Sequence, residues 1–208
     1  MKVAVAALVA VSALALTACD SGSDNSRASD GPSVIAPGKP GEGAETLSAK
    51  DARRRGSDDA PNSADVRYAR MMIPHHEQAI EMTELAPKRA ESAKVKALAE
   101  RIAAAQGPEI EMMRGWLKKH GRGASPEGHD AHDTMPGMAT DAQLKKLKAA
   151  QGTAFDALFL KLMVTHHQGA VTMATDVKSE GNNVQVEEMA DDVIAQQTSE
   201  IARMRDMS

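Results

Sequence analysis

Residues 68–82, YARMMIPHHEQAIEM, return later in the chain as FLKLMVTHHQGAVTM at residues 159–173. The two copies align with a constant offset of 91, since 166 − 75 = 91 for the first histidine of each pair. In the first copy His75, His76 and Ala79 fall on one side of a helical projection and the glutamates fall on the other. The repeated segment is therefore predicted to be a partly buried amphipathic helix with a His-His pair.

A second helix is predicted after each copy, at the same offset. Residues spaced by three and four form a stripe at Val95, Leu98, Ile102, Gln106, Glu109, Met113 and Trp116, and its counterpart is Val186, Met189, Val193, Gln197, Glu200, Met204 and Met207. A constant offset through two helices and their connection indicates that a whole helical hairpin was duplicated. Two antiparallel hairpins bury their apolar stripes best as a four-helix bundle, so we predict an all-α fold.

The amino terminus predicts export and lipid attachment. Lys2 precedes an apolar stretch at residues 3–16 that has the layout of a signal peptide and is too short to span a bilayer permanently. The stretch ends in Leu16-Thr17-Ala18-Cys19, which looks like a bacterial lipobox. We predict a signal peptide at residues 1–18 and acylation of Cys19, with anchoring to the outer face of the cell membrane or the periplasmic side of a membrane.

The remaining chain divides into a tether and one domain. Residues 19–62 are rich in Gly, Ser, Pro, Asp and Arg, so they bury too little apolar surface to offset the entropy of ordering, and we expect a flexible tether. Residues 63–208 make one domain's worth of chain. We expect repeat one at about 64–118, a loop at about 119–140 and repeat two at about 141–208.

Composition narrows the class of protein. The formal net charge of −4 gives no indication of nucleic-acid binding. A single cysteine excludes an intramolecular disulfide. Aromatic residues make up only 2% of the chain while there are 13 methionines, and β-branched runs are missing, so we expect close-packed helices and almost no sheet.

The buried stripes contain polar residues that a core normally excludes. If the hairpin turn lies near Ala90 to Ala93, both His75 and Glu109 are about 16 to 18 residues from it, which is roughly 25 Å along a helix. An antiparallel pair therefore brings the Glu109 carboxylate level with the imidazoles, and the second copy repeats this with His166, His167 and Glu200. A buried carboxylate is costly unless it is paired or bound to a metal.

Two explanations fit this polar layer. In the first, the glutamates accept hydrogen bonds from the histidines, Gln106 and Gln197, and a metal-free layer fixes the register of the helices. In the second, the histidines bind a metal while the glutamates are ligands or orient the ligand imidazoles. Duplication of the whole set favours the metal. Whether the four histidines form one site or two depends on how the hairpins pack.

The type of donor favours copper. Di-iron bundles use a Glu-x-x-His motif, which does not occur in this sequence. Thioethers near the histidines suit Cu(I), and imidazole accommodates both copper oxidation states, although each methionine could equally be a core filler. The candidate metal ligands are His75, His76, His166, His167, Met72, Met82, Met163, Met173, Glu109 and Glu200.

The segment between the repeats supplies a second candidate set. His129, His132, Met135 and Met138 lie in a Gly- and Pro-rich stretch, in which Met135-Pro-Gly-Met138 brings two thioethers together. A cysteine-free His/Met set is usable for copper in an oxidising compartment. This loop is therefore a further candidate for metal binding.

The sequence resembles the family known as domain of unknown function 305. The resemblance rests on MIPHHEQA at 72–79, LMVTHHQGA at 162–170 and QGPEIEMMRGWL at 106–117, and it covers essentially Ala64 to Met207. It implies a ferritin-like four-helix bundle, usually exported. Some members of the family bind copper or silver through His and Met and take part in copper resistance.

Three functions follow as hypotheses. The leading one is a non-catalytic extracytoplasmic lipoprotein that buffers, sequesters or delivers copper. The alternatives are a ferritin-like metal oxidase or redox enzyme, and a metal-free structural or interaction module. The expected partners are a metal ion and a membrane, reached through the lipid on Cys19; no protein partner is identified, and a homo-oligomer stays open.

Overall fold

The structure is a computed structural model that describes residues 33–36, 43–121 and 135–207. Its strands are β1 (Ser33–Ala36) and β2 (Glu45–Ser48). Its helices are α1 (Ala49–Asp58), α2 (Ser63–Thr83), α3 (Ala86–Arg89), α4 (Ala93–His120), α5 (Asp141–Ala149), α6 (Gly152–Glu180) and α7 (Val184–Arg205). The chain forms two compact units, one up to Ala49 and one from Lys50 onward.

The first unit contains a two-stranded antiparallel ribbon in which Val34 of β1 pairs with Leu47 of β2. This ribbon and α1 fall within residues 19–62, where the sequence predicts a tether and suggests neither element. The strands are only four residues long, and β1 is mostly exposed, so no apolar pattern marked them. The predicted signal peptide and Cys19 lie outside the described residues.

The second unit is built from helices, which confirms the predicted all-α class. α2 packs against α4 and α6 packs against α7, giving the two hairpins, and the hairpins meet where α2 packs against α6. Both α2 and α4 continue through their internal prolines, Pro74 and Pro108. The finer prediction, a ferritin-like arrangement of the four long helices, stays a prediction.

Each hairpin caps a turn of the other. Asp65 at the start of α2 accepts hydrogen bonds from the backbone N–H of Asn182, at 3.1 and 3.2 Å, in the turn before α7. Asp156 of α6 accepts from the backbone N–H groups of Glu91 and Ser92, at 3.2 and 2.8 Å, in the turn before α4. Since 156 − 65 = 91 and 182 − 91 = 91, the two contacts are equivalent in the repeats, and the hairpins are related by an approximate two-fold axis.

The N-cap of α2 is Asn62. The Asn62 Oδ1 accepts from the backbone N–H of Ala64 at 2.8 Å and of Asp65 at 3.1 Å, while the Asp65 carboxylate accepts from the Asn62 N–H at 2.8 Å. The Asn62 side chain also donates to the carbonyl of Glu180 at 2.8 Å. The last residues of the predicted tether are therefore part of the bundle.

The core consists of two apolar clusters separated along every long helix by polar residues. One cluster contains Met82, Leu98, Phe159 and Met204 among others, and the other contains Met72, Trp116, Met173 and Val193 among others. Between them lie His75 and His76 on α2, Gln106 on α4, His166 and His167 on α6, and Gln197 on α7. Within the described residues, no helix is long and apolar enough to cross a membrane.

Candidate metal centre

The four histidines of the two motifs form one buried layer at the crossing of α2 and α6. Each is 0% exposed. The rings of His75 and His166 face each other with centroids 3.7 Å apart, while each ring lies 6.5 or 6.3 Å from its sequence neighbour. The two His-His pairs therefore meet in a single layer, with His75 and His166 at its centre, a point that the sequence left open.

Two carboxylates hold the outer histidines. The His76 Nε2 lies 2.7 Å from the Glu109 Oε2, and the His167 Nε2 lies 2.7 Å from the Glu200 Oε2. This is the matching height that the sequence predicts for the carboxylates and imidazoles. An ionised carboxylate only accepts hydrogen bonds, so Nε2 carries a proton in both rings, and in the neutral form of either ring the lone pair lies on Nδ1.

His75 is held in the same tautomer by a different acceptor. Its Nε2 lies 3.0 Å from the carbonyl oxygen of Pro136, which can only accept. The lone pair of His75 therefore also lies on Nδ1. For His166, neither ring nitrogen has a hydrogen-bond partner among the described residues.

Several buried polar atoms of the layer lack partners in the described part of the chain. They are the Nδ1 atoms of His75, His76 and His167, both ring nitrogens of His166, and both amide atoms of Gln106 and of Gln197. Buried polar groups in folded proteins are normally hydrogen-bonded, so such a concentration of unpaired donors and acceptors requires water or a metal ion. Among the described residues, His76 and His167 bond to the glutamates but the amides of Gln106 and Gln197 do not, so the metal-free layer is formed only in part.

Electrostatics keep the central imidazoles neutral. Burial lowers the pKa of His75 to about 3; the hydrogen bond to Pro136 opposes this shift, and the nearby His76 and His167 add to it. Burial, followed by the neighbouring His75, lowers the pKa of His166 well below its ordinary value. Neutral imidazole is the form that binds a metal, so both rings are ready for coordination near neutral pH.

The candidate methionines lie in the apolar clusters on either side of the layer. Met72 and Met173 belong to one cluster, and Met82 and Met163 belong to the other. All four are buried, at 6% exposure or less. Each cluster thus offers thioethers contributed by both repeats, within helices that also carry the histidines.

The second candidate set is only partly described. His129 and His132 lie outside the described residues, whereas Met135 is 5% exposed and Met138 is partly buried. Both methionines line a cavity of about 680 Å³ beside α2, together with Pro74, Glu77, Glu81 and Asp141. The structure therefore brings this part of the loop next to the first histidine motif.

The donor set of the layer fits a soft or borderline metal ion. In the described ranges, no three His, Cys, Asp or Glu side chains converge in the arrangement of a ready-made metal site. Thioether sulfur is the remaining donor type near the layer, and mixed imidazole and thioether sets suit copper. The carboxylates fit as partners of the imidazoles, because each already accepts a hydrogen bond from a histidine.

Four residues at the site are not indicated by the sequence motifs. The Pro136 carbonyl accepts a hydrogen bond from His75, and both Gln78 and Gly169 contact the segment that contains Pro136. Tyr68 lies near Glu109, and its buried hydroxyl has no partner among the described residues. Burial, followed by the Glu109 carboxylate, raises the pKa of Tyr68. Comparing the two repeats gives a signal for three of these, because Tyr68 aligns with a phenylalanine and Gln78 aligns with Gly169.

Known proteins similar to this chain are found by sequence and by structure. The profile of the family described as domain of unknown function (DUF305) matches residues 65–208. A solved DUF305 protein of Streptomyces coelicolor, classed as secreted, is 37% identical with a TM-score of 0.62, and the match covers 70% of this chain and 91% of that one. A DUF305 fragment from Deinococcus radiodurans is 27% identical with a TM-score of 0.64, covering 71% of this chain and 97% of that one.

A third similar structure is that of a metal-bound protein. CopM in its Cu(I)-bound form is 34% identical with a TM-score of 0.58, and the match covers 69% of this chain and 94% of that one. CopM structures in Cu(II)-bound and Ag-bound forms match as well. No curated protein matches the chain by sequence. Because the family profile matches well over half of the 208 residues, including the histidine layer, this chain belongs to the DUF305 family.

Proposed function

We propose that this protein binds copper at the histidine layer and serves to buffer, sequester or deliver it outside the cytoplasm. The observation that carries the proposal is the set of oriented imidazoles. Three of the four histidines have Nε2 occupied by an acceptor and a buried Nδ1 that has no hydrogen-bond partner in the part of the chain that the structure describes. Outer acceptors that fix the tautomer of a ligand histidine are a general feature of metal sites.

Copper is favoured over harder ions by the surroundings of the layer. The centre of the layer consists of two neutral imidazoles, those of His75 and His166, and the apolar clusters on each side of the layer contain methionine sulfur. Neutral nitrogen and soft sulfur suit Cu(I), whereas Mg²⁺ and Ca²⁺ require oxygen ligands. The likeness to CopM, which has been crystallised with Cu(I), Cu(II) and Ag, supports the same choice.

The test is an anaerobic Cu(I) competition titration of the full chain carrying Cys19→Ser, so that no thiol competes for the metal. We expect tight binding that is lost when His75, His76, His166 and His167 are all replaced by alanine. A helical far-UV spectrum of this variant is required for the comparison. Tight binding retained in the variant would place the site in the methionines or the loop instead.

A stability measurement gives an independent test of the same site. A ligand that binds only the folded state, at a free concentration of 100 times its Kd, stabilises that state by about 2.7 kcal/mol. Cu(I) should therefore raise the melting temperature of the chain and leave that of the four-histidine variant unchanged. Melting that is indifferent to copper in both proteins would favour the metal-free module.

We further propose that the chain works at a membrane surface, attached through acylated Cys19. The support is the signal-peptide layout of residues 1–18 and the lipobox-like sequence that ends in the only cysteine. Metabolic labelling with a radioactive fatty acid should mark the wild-type chain and leave the Cys19→Ser variant unlabelled. Release of the wild-type chain into the medium without a lipid would contradict this assignment.

A further inference from the structure

Residues 135–139, MPGMA, form a strap that lies on α2 and α6 at the height of the histidine layer. At its start, the carbonyl of Pro136 accepts the hydrogen bond from the His75 Nε2 at 3.0 Å. At its end, Ala139 makes a paired contact with the Gln78 side chain: its N–H donates to Oε1 at 2.7 Å and its carbonyl accepts from Nε2 at 2.9 Å. The strap is therefore fixed to α2 at both ends.

The strap also touches the backbone of α6 without space for a side chain between them. A Cβ placed on Gly169 would lie 1.9 Å from the Pro136 oxygen and 2.4 Å from the Pro136 carbonyl carbon. Within the strap, Gly137 has φ +80°, and a Cβ there would lie 2.5 Å from the carbonyl oxygen of Thr165. Glycine at both positions is a condition for this contact.

The two anchors of the strap occupy equivalent positions of the duplicated motif. Gln78 and Gly169 are related by the repeat offset, since 169 − 78 = 91. The histidine pairs and the following alanine are shared by both copies, but at this position one copy has a long amide and the other has no side chain. The strap lies against both α2 and α6, so it needs a side chain that bonds to it on α2 and a position without a side chain on α6.

We propose that the strap is a positioning and access element of the histidine layer, with Gln78 and Gly169 as its seat; the metal part of this proposal rests on the proposed function. Seated, the strap holds His75 in the tautomer with the lone pair on Nδ1 and covers the central histidines. Unseated, it frees the His75 ring and opens it to the neighbouring cavity. Pro74, which precedes His75, already lines that cavity together with Met135 and Met138.

The strap makes the two central histidines unequal. His75 has its Nε2 fixed by the strap, whereas His166 has no hydrogen-bond partner for either ring nitrogen among the described residues. His76 and His167 are held by glutamates and do not contact the strap through their ring nitrogens. Unseating the strap should therefore change the tautomer of His75 and leave those of His76 and His167 unchanged.

The first experiment uses the metal-free full chain carrying Cys19→Ser, with ¹⁵N-labelled histidine and long-range ¹H–¹⁵N correlation at pH 7.5. In this chain we expect His75 as the Nε2–H tautomer. In Gln78→Ala, which removes the clamp, and in Gly169→Ala, which displaces the strap, we expect His75 as a mixture of both tautomers. The matched control is Gln168→Ala, an exposed glutamine beside Gly169, which should leave His75 unchanged.

Each outcome of this experiment is decisive. A change confined to His75 in both seat variants supports the positioning role. An unchanged Nε2–H tautomer of His75 in both variants, or equal changes at His76 and His167, would overturn it. Two variants are needed because the alanine at position 169 enters a buried contact and could prevent folding, whereas Gln78→Ala only removes side-chain atoms.

The second experiment measures access through transfer of Cu(I) from the loaded chain to an excess of a chromogenic chelator. We expect transfer to be at least about tenfold faster in both seat variants than in the parent and in Gln168→Ala, a change of the size found when partners of ligand histidines are removed. Equal rates in all four proteins would overturn the access role. If the parent chain holds no Cu(I), the proposed function fails, while the tautomer experiment still tests the strap.

Discussion

The metal-free bundle should lose stability steeply below pH 6.5, because in that range the central imidazoles stay neutral in the folded state but become protonated in the unfolded state. The unfolded chain binds a proton at each histidine near pH 6.5, the ordinary value. In the folded chain, burial holds the pKa of His75 at about 3 and that of His166 well below normal. Between these limits the unfolded state binds more protons, so the free energy of unfolding falls as the pH is lowered.

The magnitude follows from the distance to the unfolded pKa. At pH 5 each histidine is 1.5 units below its value in the unfolded chain, at about 1.36 kcal/mol per unit. His75 therefore costs about 2 kcal/mol of the stability present at pH 7.5, and His166, whose pKa is also lowered by burial, adds to this loss. Since small domains have only about 5–15 kcal/mol in total, this is a large fraction.

The assay is urea unfolding followed by circular dichroism at 222 nm, at pH values from 5 to 7.5. The carboxylates and the other histidines also contribute, so the comparison is with a His75→Gln, His166→Gln double variant. The parent should lose at least about 2 kcal/mol more than this variant over the range, because more protons bind when it unfolds at pH 5. Parallel pH profiles, or an NMR titration of either ring above pH 5, would refute the reasoning.

Three further perturbations test the fold and the site. Asp65→Ala removes the buried acceptor of the Asn182 N–H in the turn before α7 and of the Asn62 N–H at the start of α2, so urea unfolding should show a loss of about 3 kcal/mol. A loss under about 1 kcal/mol would contradict the capping role. Gly115→Ala should raise the unfolding free energy in urea by about 0.5–1 kcal/mol, because a Cβ there meets nothing within 4 Å and glycine disfavours helix; a lower value would contradict this. Glu200→Gln should weaken Cu(I) binding about tenfold in the competition titration, because a neutral amide holds the His167 tautomer less firmly; unchanged affinity would remove Glu200 from the site.

The repeat made much of the fold predictable. A single offset of 91 related two helices and their connection, so the hairpins and the all-α class followed from the sequence. The same offset, combined with the rise per residue, predicted that Glu109 would lie level with the histidine pair. The separation of 2.7 Å between the Glu109 Oε2 and the His76 Nε2 agrees with that prediction.

The contact between His75 and His166 could not be predicted in the same way. Periodicity shows which face of a helix is buried, but it does not show where along their lengths two helices cross. Adjacent residues differ by about 100° around a helix, so either histidine of each pair could have faced the other hairpin. Only the packing of α2 on α6 places the first histidine of each pair at the centre.

The sequence does not predict the strap, and the reason is different. Its contacts join residues 61 positions apart and depend on a left-handed glycine, and neither property leaves a periodic pattern in the sequence. In the sequence, MPGM indicates a pair of thioethers. In the structure, the Pro136 carbonyl between the two methionines accepts the hydrogen bond from His75. The capping role of Asp65 was missed similarly, because its acceptor function depends on the turn of the other hairpin.

Duplication explains why a metal site would arise at this position in the fold. The approximate two-fold axis relates the hairpins, so a residue near that axis must lie close to its own equivalent, as His75 does to His166. A histidine at this position of the single hairpin would become, on duplication, two neighbouring imidazoles. The same symmetry cannot supply a strap, because one segment cannot lie identically on both copies. A single strap requires different residues at the equivalent positions 78 and 169, because it bonds to the Gln78 side chain and needs the space beside Gly169. The histidines can be the same in both copies, whereas these two positions cannot.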